Sequence, residues 1–154
     1  MKLAHKDHIK YIEELENKYK FKLDKIRNIE ISFEKIDELR KKSKYAIATS
    51  GTVTFELSLM GLPVIVVYKT SLINAFIVRK ILKIKYITLT NLNSRKEIFP
   101  ELLQEKFSVN NLIDECNKME KNKKKIVNEL EKESLKLGNK GVLMEIAQHL
   151  LIKI

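Results

Sequence analysis

Apolar positions recur along this chain with three different periods, and each predicts an element. Residues 8–20 place Ile9, Ile12, Leu15 and Tyr19 three or four apart among Lys and Glu. That is the spacing of a surface helix with a narrow apolar stripe. Phe21 to Ile31 alternates more loosely, with Ile29-Glu30-Ile31 as its strand candidate. Ser32 is placed to cap a helix that carries Phe33, Ile36 and Leu39 inward and ends near Arg40-Lys41-Lys42. Tyr45 to Tyr68 then reads as strand, loop, helix, stop and strand. Tyr45-Ala46-Ile47-Ala48 is a short apolar run, Ser50-Gly51-Thr52 a bend with little side-chain bulk, and Val53 to Met60 about two helical turns. Gly61 stands where a left-handed C-cap is wanted, with Pro63 beyond it. Val64-Ile65-Val66-Val67 is the continuous β-branched run of a strand buried on both faces of a parallel sheet.

Beyond the Lys69-Thr70-Ser71 loop, Leu72 to Ile84 reads as a basic amphipathic helix, apolar at Ile73, Phe76 and Ile77 and basic at Arg79, Lys80 and Lys83. Packing on the sheet and lying on an anionic bilayer both suit it. Tyr86 to Leu89 reads as a further strand with Thr90 to Ser94 as its exit loop, and Pro100 as the first turn of a short helix through Gln104. Ser108 caps a helix to about Met119, with Leu112 and Cys116 on one face. A highly charged helix with Ile126, Leu130 and Leu137 follows, then a break at Gly138 and Gly141 and a last helix, Val142 to Ile152. Four strands are expected, near Ile29–Ile31, Tyr45–Thr49, Val64–Tyr68 and Tyr86–Leu89. The fold class is therefore α/β, a short parallel sheet with flanking helices and a helical C-terminal region.

Composition changes this picture little. A length of 154 residues suits one domain or a piece of something larger. The net charge of +10 raises nucleic acid or an anionic membrane as partner. Most of that charge is interleaved with acidic residues as on solvated helix faces, and the one clear basic run is Lys121 to Lys125. Cys116 is the only cysteine, which excludes a disulfide framework and a cysteine-based zinc cluster and fits a reducing cytosol. In a helix it reads as a small core residue, not a nucleophile. His5 and His8 lack a third ligand, so no metal site is expected. The N-terminus turns polar at Lys2, unlike a signal peptide, and no stretch reaches the roughly 20 apolar residues of a membrane span. A cytoplasmic protein, or one attached only to the inner membrane surface, is expected.

The candidate chemistry lies in the loop Ser50-Gly51-Thr52. Backbone N–H groups at a helix N-terminus, with hydroxyls beside them, suit a phosphate, and a glycine permits close approach. Glu56, in the first turn of that helix, is placed either to stabilise the helix dipole or to accept hydrogen bonds from ribose hydroxyls. The loop is neither a Walker A motif nor G-x-G-x-x-G.

Ser50-Gly51-Thr52-Val53-Thr54-Phe55-Glu56, Gly61-Leu62-Pro63 and Val66-Val67-Tyr68-Lys69 resemble the donor-nucleotide region of GT-B glycosyltransferases. A second block, Tyr86 to Leu89, Asn91-Leu92 and Pro100-Glu101-Leu102-Leu103-Gln104, narrows the resemblance to lipid-A-disaccharide synthase. It is strongest over residues 44–104. The resemblance implies the Rossmann-like C-terminal domain of such an enzyme. It also implies transfer of 2,3-diacylglucosamine from its UDP derivative to 2,3-diacylglucosamine 1-phosphate, with release of UDP, in lipid A biosynthesis. No metal or organic cofactor is implied. By carry-over, Ser50, Gly51 and Thr52 meet the diphosphate, Glu56 the ribose, and Asn91 the donor side of the cleft.

This chain departs from the family pattern at Thr90, where the family usually has Pro, and at Arg95 and Lys96, where it has Gly and Arg. An arginine in a glycine position strains a turn that wants positive φ, and lysine lacks the bidentate fork. The acceptor-binding half, the catalytic acidic residue and the opening strands of the nucleotide domain are not found. The 154 residues are thus expected to form a single, N-terminally incomplete nucleotide-sugar-binding domain, inactive alone and with no catalytic residue of its own. It is either the complement of a separately encoded N-terminal half or the product of a degraded gene. The competing readings are a basic nucleic-acid-binding module, for which no reading helix or aromatic strand pair is found, and a fragment of another UDP-sugar glycosyltransferase.

Overall fold

A computed structural model describes residues 1, 3, 6–26, 28–70 and 85–136. The histidine pair through His5, the basic helix Leu72 to Ile84 and the last helix Val142 to Ile152 lie outside the described residues. The chain forms two compact units, Met1–Lys42 and Ser43–Ile154.

In the first unit, helix α1 spans Ile9–Tyr19 as its spacing predicts, and closes on Lys20 in the left-handed region. Its apolar stripe is not buried: Ile12 is half-covered, while Ile9, Leu15 and Tyr19 are exposed. Glu16 accepts from Leu23 N at 2.7 Å and from Lys22 Nζ at 3.1 Å. The Leu23 N–H first, and then the lysine, hold this carboxyl below the usual carboxylate range. The expected strand at Ile29–Ile31 is absent. Only Ser32 bridges, donating to Met1 O at 2.8 Å and accepting from Leu3 N at 3.0 Å. Ser32 Oγ also accepts from Glu34 N at 3.2 Å, and helix α2 follows over Ile36–Lys42.

The second unit holds the sheet. Strand β1 is Ala46–Thr49, helix α3 Thr52–Leu59 and strand β2 Val64–Tyr68. The helix stops where glycine permits it to, with Gly61 at φ 70°. Helix α4, Leu89–Ser94, strand β3, Glu101–Leu103, and the 28-residue helix α5, Val109–Lys136, complete the described part. The sheet is parallel in the order β1-β2-β3, with Ala46 opposite Val64 and Val66 opposite Glu101. Val64, Ile65 and Val66 are all fully buried. Consecutive strand residues point to opposite faces, so β2 is covered on both sides. On one face Ile65, Leu102 and Met119 form a core, flanked by Tyr45, Val67, Leu112, Cys116 and Ile126. Cys116 is thus a core-packing residue. Its thiol beside the Tyr45 phenol, with burial, raises the phenol's pKa above its ordinary value.

Two local expectations are overturned. Tyr86 to Leu89 does not form a strand: Thr88 is extended, but it serves as the N-cap of α4. Pro100 to Gln104 does not form a helix, because Glu101–Leu103 pairs with β2 as the third strand. Ser108 caps as expected, its Oγ accepting from Asn111 N at 3.2 Å. The two helices expected after it are one. Lys121 to Lys125 lies within α5 without breaking it.

Arg95 ends α4 at φ 55° and ψ 20°, the left-handed region the sequence pattern anticipated. An L-residue there costs about 1–2 kcal/mol, part of which glycine would return as unfolded-state entropy. Arg95→Gly is therefore expected to stabilise the chain by about 0.5–1 kcal/mol, read as a higher urea midpoint with an unchanged slope.

Candidate functional site

The carboxyl ends of β1, β2 and β3 lie at one edge of the sheet, and β1 leads into Ser50-Gly51-Thr52. This is the edge at which open α/β sheets take ligands. Thr54 shapes the turn: its N–H and its Oγ1 both reach Gly51 O, at 3.2 and 2.7 Å, and its side chain is fully buried. The small loop therefore closes on itself through Thr54. The preceding helical N–H groups, of Thr52 and Val53, are first-turn donors with no intrahelical acceptor.

Gly51 is extended, at φ 164° and ψ −171°, so its backbone does not demand glycine. A Cβ built there would meet nothing within 4 Å. The glycine is explained by neither strain nor packing among the described residues, and it leaves the approach to the N–H groups open. Thr52 is exposed, and Glu56, four residues on, is exposed on the same side of α3. Glu56 lies in the second turn, not the first, which carries no acidic residue. Its carboxylate is therefore poorly placed to stabilise the dipole and is free toward solvent.

Ser50 ties this loop to the next segment. Its Oγ donates to Ile87 O at 3.3 Å. Ile87 and Thr88 are in turn held by a residue that sequence reasoning missed. Glu101, at the start of β3 and 9% exposed, accepts from Ile87 N at 2.9 Å, Thr88 N at 3.0 Å, Thr88 Oγ1 at 2.8 Å and Asn91 Nδ2 at 2.9 Å. Four donors facing one carboxyl is the hydrogen-bonding pattern of a carboxylate. The available signal was an acidic residue inside the apolar run Ile98-Phe99-Pro100-Glu101-Leu102-Leu103, since a charge in such a run needs partners.

Asn91 is fully buried. Its Nδ2 donates to Phe99 O at 2.8 Å as well as to Glu101, and its Oδ1 accepts from Ile98 N at 2.8 Å and Phe99 N at 2.9 Å. Two donors and two acceptors exhaust the amide. Asn91 thus lies beneath the segment that carries Ile87 and holds Phe99, itself fully buried, against it. The neighbouring Thr90 is buried, and its hydroxyl has no partner among the described residues. Gln104 completes the edge: with its amide nitrogen toward the carbonyl, it pairs with Thr70 O and Thr70 N, each at 3.1 Å.

Lys96 does not turn toward the loop. It ion-pairs with Glu129 and lies 3.8 Å from Glu133, both on α5. The contact raises the lysine above its ordinary range and lowers Glu129 below its own. A cavity of about 510 Å3 lies beside this pair, between Lys96–Pro100 and α5, and another of about 310 Å3 is lined by Phe55, Leu59, Thr90 and Leu130. Neither contains Ser50, Gly51, Thr52 or Glu56. Among the described residues, the structure therefore brings Ser50, Gly51 and Thr52 together on an open edge. Glu56 lies one turn along, and Asn91 is linked to Ser50 through Glu101 and Ile87. No helix of the described residues is long and apolar enough to cross a membrane.

Comparison with known proteins agrees with this architecture. A sequence model of the family described as lipid-A-disaccharide synthetase matches residues 1–152. A lipid-A-disaccharide synthase of Rickettsia conorii is 52% identical over 59 residues, which are 38% of this chain and 13% of that protein. One from a Sulfurihydrogenibium species is 44% identical over 81 residues, 53% of this chain and 20% of that protein. One from Rickettsia bellii is 34% identical over 117 residues, 76% of this chain and 29% of that protein. The chain thus spans less than a third of the length of each of these curated relatives. A match over nearly all of its residues, on a parallel α/β sheet with the loop at the strand ends, means that the chain belongs to the lipid-A-disaccharide synthetase family.

Proposed function

We propose that these 154 residues are the donor-nucleotide portion of a lipid-A-disaccharide synthase, within one nucleotide-sugar-binding domain. The full reaction would move 2,3-diacylglucosamine from its UDP derivative to 2,3-diacylglucosamine 1-phosphate and release UDP. The observation that carries this reading is the open Ser50-Gly51-Thr52 loop, with unclaimed N–H groups and a glycine that nothing among the described residues requires. A diphosphate set against it meets the positive end of the α3 dipole. As the glycosidic bond breaks, charge grows on the departing UDP, and donors already in place stabilise it without reorganising. Glu56, exposed and one turn along, is within the span of the same nucleotide's ribose. Asn91 acts through position: it fixes the segment on which Ser50 rests. A diacylated sugar is an amphiphile, so the site would work at the inner membrane face. Alone, the chain binds the nucleotide without transferring sugar, and a complementary polypeptide would supply the acceptor side.

Calorimetric titration with UDP tests this. Binding is expected, and Glu56→Ala should weaken it about 10- to 100-fold, the loss of a charge-assisted hydrogen bond. No heat with the wild-type chain, or equal affinity in Glu56→Ala, would count against the site as assigned.

A further inference from the structure

Lys69 follows directly on β2, is exposed, and forms no ion pair with another described residue. β2 is the neighbour of β1, and the two keep register up to the pair of Thr49 with Val67. Gly51 and Lys69 each stand two residues beyond that pair, at the same level of the carboxyl edge. Adjacent strands are about 5 Å apart, so the lysine leaves the sheet beside the loop and within reach of it. Two other cations lie near this edge. Lys106 leaves β3, one strand and about 5 Å further away. Lys85 holds its Nζ over the Tyr86 ring, 5.1 Å from the centroid.

The exit of β2 is also fixed. Gln104, which is buried, adopts φ 52°, and its amide pairs with Thr70 N and Thr70 O. A residue other than glycine keeps a left-handed backbone only where its surroundings hold it there. Thr70 is thereby tied to the end of β3, and Lys69 stands one residue before the tie.

The helix beside the loop sets the direction in which a nucleotide would lie. Thr54, Leu57 and Ser58 are buried on one side of α3, which packs on β1 and β2, and Glu56 is exposed on the opposite side. Glu56 therefore faces away from the sheet, whereas Lys69 belongs to the sheet's edge. A nucleoside diphosphate with its ribose at Glu56 and its α-phosphate on the loop N–H groups directs its β-phosphate toward the end of β2.

We propose that Lys69 binds the β-phosphate of a nucleoside diphosphate whose α-phosphate lies on the Ser50–Thr52 loop. In a UDP-sugar the β-phosphate carries the sugar, so the ammonium group stands at the leaving group. This assignment rests on the donor-site reading above, and comparing UDP with UMP tests it separately.

The full chain is titrated calorimetrically with UDP and with UMP, which lacks the β-phosphate. Lys69→Ala should weaken UDP about tenfold, the loss of one charge-assisted hydrogen bond, and UMP by less than about twofold. Lys69→Arg keeps the charge and should keep most of the preference for UDP. Lys106→Ala removes the same charge one strand further away and should leave that preference unchanged. Equal losses for UDP and UMP in Lys69→Ala would overturn the assignment. So would a Lys106→Ala chain impaired as much as Lys69→Ala, since net charge alone would then account for both. UDP affinity that falls in Glu56→Ala but not in Lys69→Ala overturns the role of Lys69 and leaves the donor site standing. A wild-type chain that binds neither nucleotide removes both.

Discussion

Glu101→Gln is expected to lower the unfolding free energy by about 2–3 kcal/mol, although it changes neither size nor shape. The carboxylate receives three donors on Oε1 and one on Oε2. A glutamine has one oxygen. If that oxygen takes the three donors, its NH2 is left facing the Ile87 N–H, donor against donor, in a site closed to water. The opposite orientation sacrifices three bonds to keep one. Denaturant unfolding followed by circular dichroism measures the loss. The same variant should loosen Ser50, because Ile87 supplies the carbonyl on which its hydroxyl rests. A Glu101→Gln chain as stable as the wild type would mean that the carboxylate does not organise this segment.

Asn91→Asp is expected to cost more, about 3–5 kcal/mol at neutral pH, since it buries an uncompensated charge. The oxygen facing Ile98 N and Phe99 N is retained. The new oxygen replaces Nδ2 and faces Phe99 O and the Glu101 carboxylate, both acceptors. Two carboxyls in contact share a proton, so the folded variant takes up protons that the unfolded one does not. Its stability should therefore recover as pH falls and decline as pH rises. A pH-independent loss would show that the pair is not in contact. Asn91→Ala, which removes the bonds without adding charge, should lack the recovery.

These two residues also mark the limit of what the chain disclosed before its structure. The unit from β1 through α3 to β2 was legible because its signals are local: small residues at the bend, Gly61 where φ is 70°, and a β-branched run in a strand sealed on both faces. Tyr86 to Leu89 misled because Ile87 and Thr88 do satisfy their N–H groups as extended residues do, but against the Glu101 side chain and not a neighbouring strand. Pro100 to Gln104 misled in the opposite sense. Glu, Leu and Gln favour helices, and pairing with β2 overrode that preference. Asn91 was singled out for its motif, and the motif did not show that its amide makes all four of its hydrogen bonds within the chain. The loop lies, as expected, between β1 and α3. Its geometry adds that nothing among the described residues requires a glycine at position 51.

The strand register carries a consequence for the order of assembly. Ala46 meets Val64, whereas Val66 meets Glu101 about twice as far along the chain. The shorter closure favours β1–α3–β2 as the earlier structure, with β3 arriving later. The four bonds from Glu101 to the Ile87–Asn91 segment are local, whereas the Ser50 Oγ–Ile87 O contact spans 37 residues and is among the last to form. During refolding the Ser50–Thr52 loop would exist before the contact that steadies it, and the nucleotide affinity proposed above should mature more slowly than the helical signal.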